Sequence, residues 1–176
     1  MKNTILDIIE SFVTSFVVLA VIYLFLAFPE IVSGASMEPS VFDGERILVE
    51  KVTKHLSDSP FERGDIVVLH PPENGSIDYV KRVIGLPGEV IGISDCGVQI
   101  SDGNGKFTVD ESYLYENTCT EDISGKSRRL ENNEYFVLGD NRTRSADSRL
   151  FGPVAVDRIV GKVIFRFWPP QSIGFL

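Results

Sequence analysis

The segment that decides the fold is Asp78–Gly85, which reads Asp-Tyr-Val-Lys-Arg-Val-Ile-Gly. Successive side chains of a strand point to opposite faces, so the segment predicts a strand with Tyr79, Lys81 and Val83 on one face. Leu86-Pro87-Gly88 follows at once and is typical of a turn. A lysine in such a strand has two interpretations: it lies on an exposed edge strand, or it is buried and has a chemical role.

The same period of two recurs through the rest of the chain. It predicts seven further strands, at Arg46–Val52, Asp65–Leu69, Glu89–Ile93, Val98–Ser101, Lys106–Asp110, Glu134–Leu138 and Ile159–Phe167. Turn residues separate these strands, and no amphipathic pattern predicts a long helix among them. The sequence therefore predicts a mostly β fold, a compact and barrel-like antiparallel sheet with one N-terminal transmembrane helix.

That helix is predicted from an apolar segment near the N-terminus. Residues 11–29 carry no charge, and as a helix they would extend about 28 Å, close to the thickness of a bilayer core. A buried core helix would show a polar face, and a cleaved signal peptide would begin with basic residues rather than Asp7 and Glu10. We therefore expect an anchor at residues 1–29, spanning the membrane at about 11–29, and one β-rich domain at 30–176.

Composition excludes several classes of function. The net charge of -8 argues against nucleic-acid binding, which needs clustered positive charge. The sequence has no phosphate-binding or dinucleotide-binding loop, and we expect no cofactor and no metal. The polar residues 116–133 predict a surface excursion. Their Cys119 and the more distant Cys96 are the only cysteines, and the spacing leaves both a disulfide and two free thiols open.

The candidate chemistry lies in Val32–Ser40, just after the apolar segment. A serine hydroxyl such as that of Ser36 becomes a nucleophile only when a neighbouring base takes its proton. Both histidines of the chain stand in polar or proline-rich surroundings and are weak candidates for this base. A lysine can replace histidine if burial lowers its pKa, and Lys81 is the lysine in a suitable strand.

Four motifs, in this order, resemble those of bacterial type I signal peptidases: Ser36–Pro39, Arg63–Val68, Tyr79–Glu89 and Gly139–Arg149. The match runs from the membrane segment to near the C-terminus, and the order of the four motifs makes the resemblance specific. It implies a membrane-anchored serine endopeptidase that removes signal peptides from exported proteins through an acyl-enzyme. It also implies a single-pass protein of the bacterial cytoplasmic membrane, with lipid as a partner and the catalytic domain on the outer face.

The resemblance assigns roles to individual residues. Ser36 is the implied nucleophile, and Lys81 is the implied general base. The Ser145 hydroxyl would orient the Lys81 ammonium group, and Asp147 and Arg149 would form an ion pair that fixes their loop.

Substrate binding is expected to involve both backbone and small pockets. Some relatives stabilise the oxyanion with a serine hydroxyl where this chain has Gly34, so we expect backbone N–H groups at Gly34 and Ser36 to do so here. The preprotein would add as an extended strand, with small residues before the cut as the resemblance implies. Its expected contacts are Ile31, Val32, Asp78 and Val80.

Two other functions remain open. One is a non-catalytic anchored β-domain that binds extended peptides. The other is a self-cleaving Ser-Lys protease of the repressor type, although such a protein would need a DNA-binding module where this chain has its apolar segment. Replacing Ser36 and Lys81 by alanine would abolish activity in a peptidase and leave a binding module functional.

Overall fold

A computed structural model of the chain describes residues 2–21, 23, 26–57, 59–72, 77–103, 105–122 and 127–176. Helix α1 spans Lys2–Val21 and the short helix α2 spans Ser148–Phe151. The strands are β1 Ala27–Ile31, β2 Arg46–Glu50, β3 Ile66–Leu69, β4 Tyr79–Gly85, β5 Val90–Ser94, β6 Gly97–Asp102, β7 Gly105–Thr108, β8 Arg128–Arg129, β9 Glu134–Leu138, β10 Val154–Ala155, β11 Ile159–Trp168 and β12 Gly174–Phe175. The predicted mostly β fold is confirmed.

The strands form two antiparallel sheets. The larger has the order β1-β2-β11-β3-β4-β9-β10, with β12 beside β11, and the smaller has the order β7-β6-β5-β8. Register shifts interrupt the pairing of β11 with β2 and β3 and of β4 with β9, and such irregularities curl a sheet. Strand β1 lies at an edge, and β9 pairs with β4 only from Arg82 onward. The first residues of β4 therefore have an open edge among the described strands.

Three apolar clusters make up the core. The first packs Met37 and Val41, from the loop between β1 and β2, against side chains of β2, β3 and β11. The second joins β3, β4, β9 and β11, and the third joins β5 and β6 of the smaller sheet to β4 and β9. Because Met37 and Val41 are fully buried, the loop that carries Ser36 is fixed to the core by its own side chains.

Helix α1 differs from the predicted span at about 11–29. Its most apolar window is Thr4–Val21, with a mean hydropathy of 2.0 and none of its residues buried. The charged side chains of Asp7 and Glu10 end the apolar run without ending the helix. Residues 27–29 belong instead to β1, which pairs with β2. Apolar composition alone does not separate a helix from a buried strand. The length and hydropathy of α1 nevertheless suffice to cross a bilayer.

Residues 116–133 lie at the surface at most of their described positions, but they are attached to the rest of the domain at several points. Strand β8 pairs with β5, and the neighbouring Leu130 is only 1% exposed. Cys119 forms a disulfide with Cys96, with their Cα atoms 4.4 Å apart, which answers the question that their spacing left open. The buried Thr120 donates its N–H to the Cys96 carbonyl at 3.1 Å. The polar composition of residues 116–133 did not indicate these contacts with the rest of the domain.

The disulfide generates a prediction about stability. It joins residues 23 positions apart, and closing such a loop contributes about 3 kcal/mol to the free energy of unfolding. We expect the Cys96→Ala/Cys119→Ala double variant to lower Tm by about 10 °C for a domain of this size. Scanning calorimetry of the full chain in detergent measures this change. A reducing agent should lower the Tm of the wild type equally and leave the variant unchanged, and an insensitive wild type would contradict the prediction.

Candidate active site

Ser36 lies on a tight loop that connects β1 to β2. The Val32 N–H donates to the Glu45 carbonyl and the Gly44 N–H donates to the Val32 carbonyl, both at 2.9 Å, and these bonds close the base of the loop. At the far side, the Asn141 N–H donates to the Ser36 carbonyl at 3.0 Å. The serine is thereby fixed from two directions, by the core-anchored loop and by the segment that follows β9.

The third residue of β4 meets this serine. The Lys81 Nζ lies 2.9 Å from the Ser36 Oγ and also donates to the Val80 carbonyl at 2.8 Å. Lys81 is only 3% exposed, and its Nζ is 5.1 Å from the centre of the Tyr79 ring. The structure thus brings together two side chains that lie 45 positions apart in the chain.

The surroundings of Lys81 change its acidity. Burial lowers the pKa of the Lys81 amine from its ordinary 10.5 to about 8, and the charges of Asp147 and Asp140 partly oppose this shift. Desolvation disfavours the ammonium form, whereas a nearby carboxylate favours it. A much larger fraction of this amine is neutral near neutral pH than for an exposed lysine, so it can accept a proton from the Ser36 hydroxyl.

Asp147 and Arg149 form the ion pair that the resemblance implies. Two guanidinium nitrogens of Arg149 each lie 2.9 Å from an Asp147 carboxylate oxygen, and both side chains are almost fully buried. The same carboxylate accepts the N–H of Gly139 at 3.1 Å and caps α2 by accepting the Arg149 N–H at 3.2 Å. The pair therefore fixes both ends of the 139–149 segment, which lies beside Lys81 and Ser36.

Arg82 connects the remaining segments around the site. It makes a two-pronged ion pair with Asp140, at 2.9 and 2.6 Å, and donates to the Gly64 carbonyl at 2.8 Å. It also donates to the Ser40 hydroxyl at 2.9 Å. Successive side chains of β4 point to opposite faces, so Lys81 reaches Ser36 while Arg82 holds the Ser36 loop and the 139–149 segment. The sequence analysis did not identify this role of Arg82.

The Ser145 hydroxyl does not make the hydrogen bond to Lys81 that the resemblance implies. Its Oγ is buried, and among the described residues it has no hydrogen-bond partner. It packs instead against Gly139, where a Cβ atom would lie 2.2 Å from the Ser145 Oγ and 2.5 Å from the Ser36 carbonyl oxygen. Only glycine fits at this position without displacing one of these groups.

Gly34 also differs from the expectation. Its backbone has a φ of +94°, a conformation that suits glycine, and its N–H donates to the Asp43 Oδ1 at 2.7 Å. This N–H is therefore engaged and is not free to bind an oxyanion. The N–H of Ser36 donates to no described residue and is the available donor beside the nucleophile. Sequence reasoning missed Asp43, because loop closure over nine residues leaves no periodic signal.

A cleft of about 750 Å³ runs from this site along the surface. One wall is formed by residues 30–36 and the other by residues 77–81, and Arg144 and Ala146 lie at the same cleft. All four of the residues expected to bind substrate line it: Ile31, Val32, Asp78 and Val80. Within the described part of the chain, no group of three or more His, Cys, Asp or Glu side chains could hold a metal ion.

Comparisons with known proteins identify the family. A family model described as signal peptidase, peptidase S26, matches residues 5–168. Signal peptidase IB of Staphylococcus aureus (strain COL) is 40% identical over 184 aligned residues, which cover 96% of this chain and 92% of that protein. Signal peptidase I of Bacillus licheniformis is 36% identical over 180 residues, which cover 98% of this chain and 93% of that protein.

One solved structure is also similar to this chain. The crystal structure of a signal peptidase I from Enterococcus faecalis is 34% identical, with a TM-score of 0.48, and the match covers 58% of this chain and 95% of that chain. The family match and the two sequence relatives, together with the four motifs, establish that the chain belongs to the signal peptidase family, peptidase S26.

Proposed function

We propose that this protein is a membrane-anchored serine endopeptidase that cleaves N-terminal signal peptides from exported preproteins. The observation that carries the proposal is the 2.9 Å contact between the Lys81 amine and the Ser36 hydroxyl. A fully buried lysine is rare because burial disfavours its charge. Its contact with a serine that lines the same cleft gives this burial a chemical use.

The reaction is acyl transfer in two halves. Neutral Lys81 takes the proton of Ser36 while the Oγ attacks the scissile carbonyl carbon, and the Ser36 N–H stabilises the resulting oxyanion. The Lys81 ammonium then protonates the leaving amine of the mature protein, which departs as the ester bond to Ser36 remains. Lys81 next removes a proton from water as the water oxygen attacks the ester carbonyl, and it returns this proton to the Ser36 Oγ as the ester bond breaks. The signal peptide leaves as a carboxylic acid, which ionises in water, and Ser36 and neutral Lys81 are restored.

The open strand edges support binding of an extended substrate. The Val32 N–H and carbonyl are bonded toward β2, so the backbone groups of Ile31 and Ser33 face the cleft by alternation. Across the cleft, Val83 bonds toward the β3 side through Asp65 and Gly64, which turns the backbone groups of Val80 and Asp78 to the open edge. A preprotein strand can therefore pair with both walls at once.

We assign the selection of small residues to the cleft walls nearest Ser36. Ile31, Val32 and Val80 line the cleft that Ser36 also lines. Val32 is 4% exposed and belongs to the core, so it cannot move aside for a larger residue. This rigidity supports a preference for small residues, such as alanine, at the first and third positions before the cut.

The location follows from α1 and the proposed substrates. We place the N-terminus in the cytoplasm, α1 across the bacterial cytoplasmic membrane, and the β-rich domain on the outer face, where translocated signal peptides emerge. The exposed apolar side chains of α1 support contact with lipid. The intramolecular disulfide is compatible with an oxidising compartment.

The function is tested by incubating the detergent-solubilised full chain with a preprotein and sequencing the new N-terminus. Cleavage directly after a signal peptide supports the proposal. Binding without cleavage would favour the non-catalytic peptide-binding function, and a new N-terminus within the protein itself would favour the self-cleaving one.

The proposed dyad generates a mutational prediction. Ser36→Ala and Lys81→Ala should each lower kcat by at least about 100-fold, because one removes the nucleophile and the other its base. Lys81→Arg should be equally inactive, since a guanidinium group does not release its proton near neutral pH. The matched control is Lys162→Ala on β11, which removes a lysine paired with Asp65 at 2.7 Å. Lys162→Ala should keep near wild-type kcat, and an active, folded Lys81→Arg would refute the assignment of the base.

The lowered pKa of Lys81 generates a second prediction. Below that pKa the neutral fraction of the amine falls tenfold for each pH unit, so kcat/KM should rise with pH and level off above about 8. The measurement is initial-rate kinetics on a preprotein across neutral and alkaline pH. A rate that stays constant across this range would rule out the Lys81 amine as the base.

A further inference from the structure

We propose that Asp43 is a positioning residue for the nucleophile, acting through the backbone N–H of Gly34. The inference rests on the proposed function, because it concerns how Ser36 is presented to substrate. The observation that supports the inference is the 2.7 Å hydrogen bond from the Gly34 N–H to the Asp43 Oδ1. This contact spans the Ser36 loop and joins the residue two positions before the nucleophile to the end of the loop.

The conformation of Gly34 explains why such a contact is needed. Glycine has the largest backbone freedom of any residue, and Gly34 adopts a φ of +94°. A Cβ atom at this position would meet no other atom within 4 Å, so packing does not hold the backbone there. The Asp43 carboxylate supplies a directional acceptor in place of packing, and hydrogen bonds to a charged acceptor are stronger than neutral ones.

This bond controls the direction of the neighbouring peptide groups. The Ser36 carbonyl is already held by the Asn141 N–H at 3.0 Å. With Gly34 fixed by Asp43 and the Ser36 carbonyl fixed by Asn141, the intervening backbone cannot rotate freely. The Ser36 N–H, which is the proposed oxyanion donor, therefore keeps one orientation toward the cleft. An oxyanion donor contributes to catalysis only when its direction is set before the reaction.

The same loop contains a second carboxylate with a different role. Glu45 is 5% exposed, accepts the Phe42 N–H at 3.0 Å, and pairs with Arg166 at 2.9 Å. These contacts and the buried Met37 and Val41 secure the loop to the core without Asp43. Asp43 itself is exposed, so its replacement should leave the fold intact while loosening the turn before Ser36.

The experiment compares Asp43→Ala and Asp43→Asn in the full chain, with Asp102→Ala as the matched control. Asp102 also accepts the N–H of a glycine with positive φ, Gly105, at 3.0 Å, but lies in the smaller sheet away from Ser36. The readouts are kcat and KM on a preprotein, Tm, and amide hydrogen exchange of residues 33–37. The exchange measurement does not depend on cleavage.

We expect Asp43→Ala to lower kcat about tenfold, as the loss of one charge-assisted hydrogen bond would, and to leave KM within about twofold. Asp43→Asn keeps an oxygen acceptor and should restore kcat to within about threefold of the wild type. Asp43→Ala should keep a Tm near that of the wild type, and only Asp43→Ala should speed exchange at residues 33–37. The Asp102→Ala variant should keep the wild-type kcat.

Two results would overturn the inference. One is an Asp43→Ala variant with wild-type kcat and unchanged exchange at residues 33–37. The other is a loss of kcat that Asp43→Asn does not restore and that accompanies a much lower Tm than in Asp102→Ala. If the wild type fails to cleave any preprotein, the proposed function is wrong, and the exchange data alone still decide whether Asp43 orders this turn.

Discussion

An amine can take a proton from serine only while it is uncharged, and the architecture around β4 makes this state more accessible to Lys81 than to an exposed lysine. Burial works in this direction, whereas Asp140 and Asp147 work against it. Each of these carboxylates is paired with a guanidinium group, Asp140 with Arg82 and Asp147 with Arg149. The arginine charges partly offset the carboxylates, so the buried ion pairs hold the loops together while favouring the ammonium form of Lys81 less than two unpaired carboxylates would.

Because the side chains of β4 alternate between two faces, two neighbouring residues of this strand can contact different parts of the site. Lys81 points into the cleft and Arg82 to the other face, where it contacts Gly64, Asp140 and Ser40. One dipeptide thus supplies both the base and the clamp that holds the base near its serine. Because the backbone of β4 is also bonded to β3 and β9, neither side chain can shift without disturbing the sheet.

Sequence reasoning predicted best those strands in which apolar side chains alternate regularly and turn residues mark both ends. The predicted bounds of β9 agree with the structure, and β3 and β4 differ from prediction by one residue at an end. Strand β1 was missed because its apolar residues continue the composition of the membrane segment, and β8, β10 and β12 are too short to show a period. Local pattern carries information about a strand, but not about which strand it will pair with.

The residues of the candidate site likewise fall into two groups, those that motifs identified and those that depend on the folded arrangement of loops. The motifs identified Ser36 and Lys81, and the structure adds their 2.9 Å contact. The Gly34–Asp43 bond, the lack of a described hydrogen-bond partner for the Ser145 hydroxyl, and the role of Arg82 depend on how loops close in space, which spacing along the chain does not encode. The Cys96–Cys119 pairing could not be predicted for the same reason, since Cys96 lies in the turn between β5 and β6 and Cys119 lies after β7, and only the folded chain brings them together.

Gly139 provides a criterion for judging whether a homologous chain is active. Its α-hydrogen faces both the Ser36 carbonyl and the Ser145 side chain, so even a methyl group would push the nucleophile out of register. A homologue that retains serine and lysine but carries a larger residue here should be suspected of having lost its activity. The absence of a side chain at this position is thus a marker for separating active enzymes from inactive homologues.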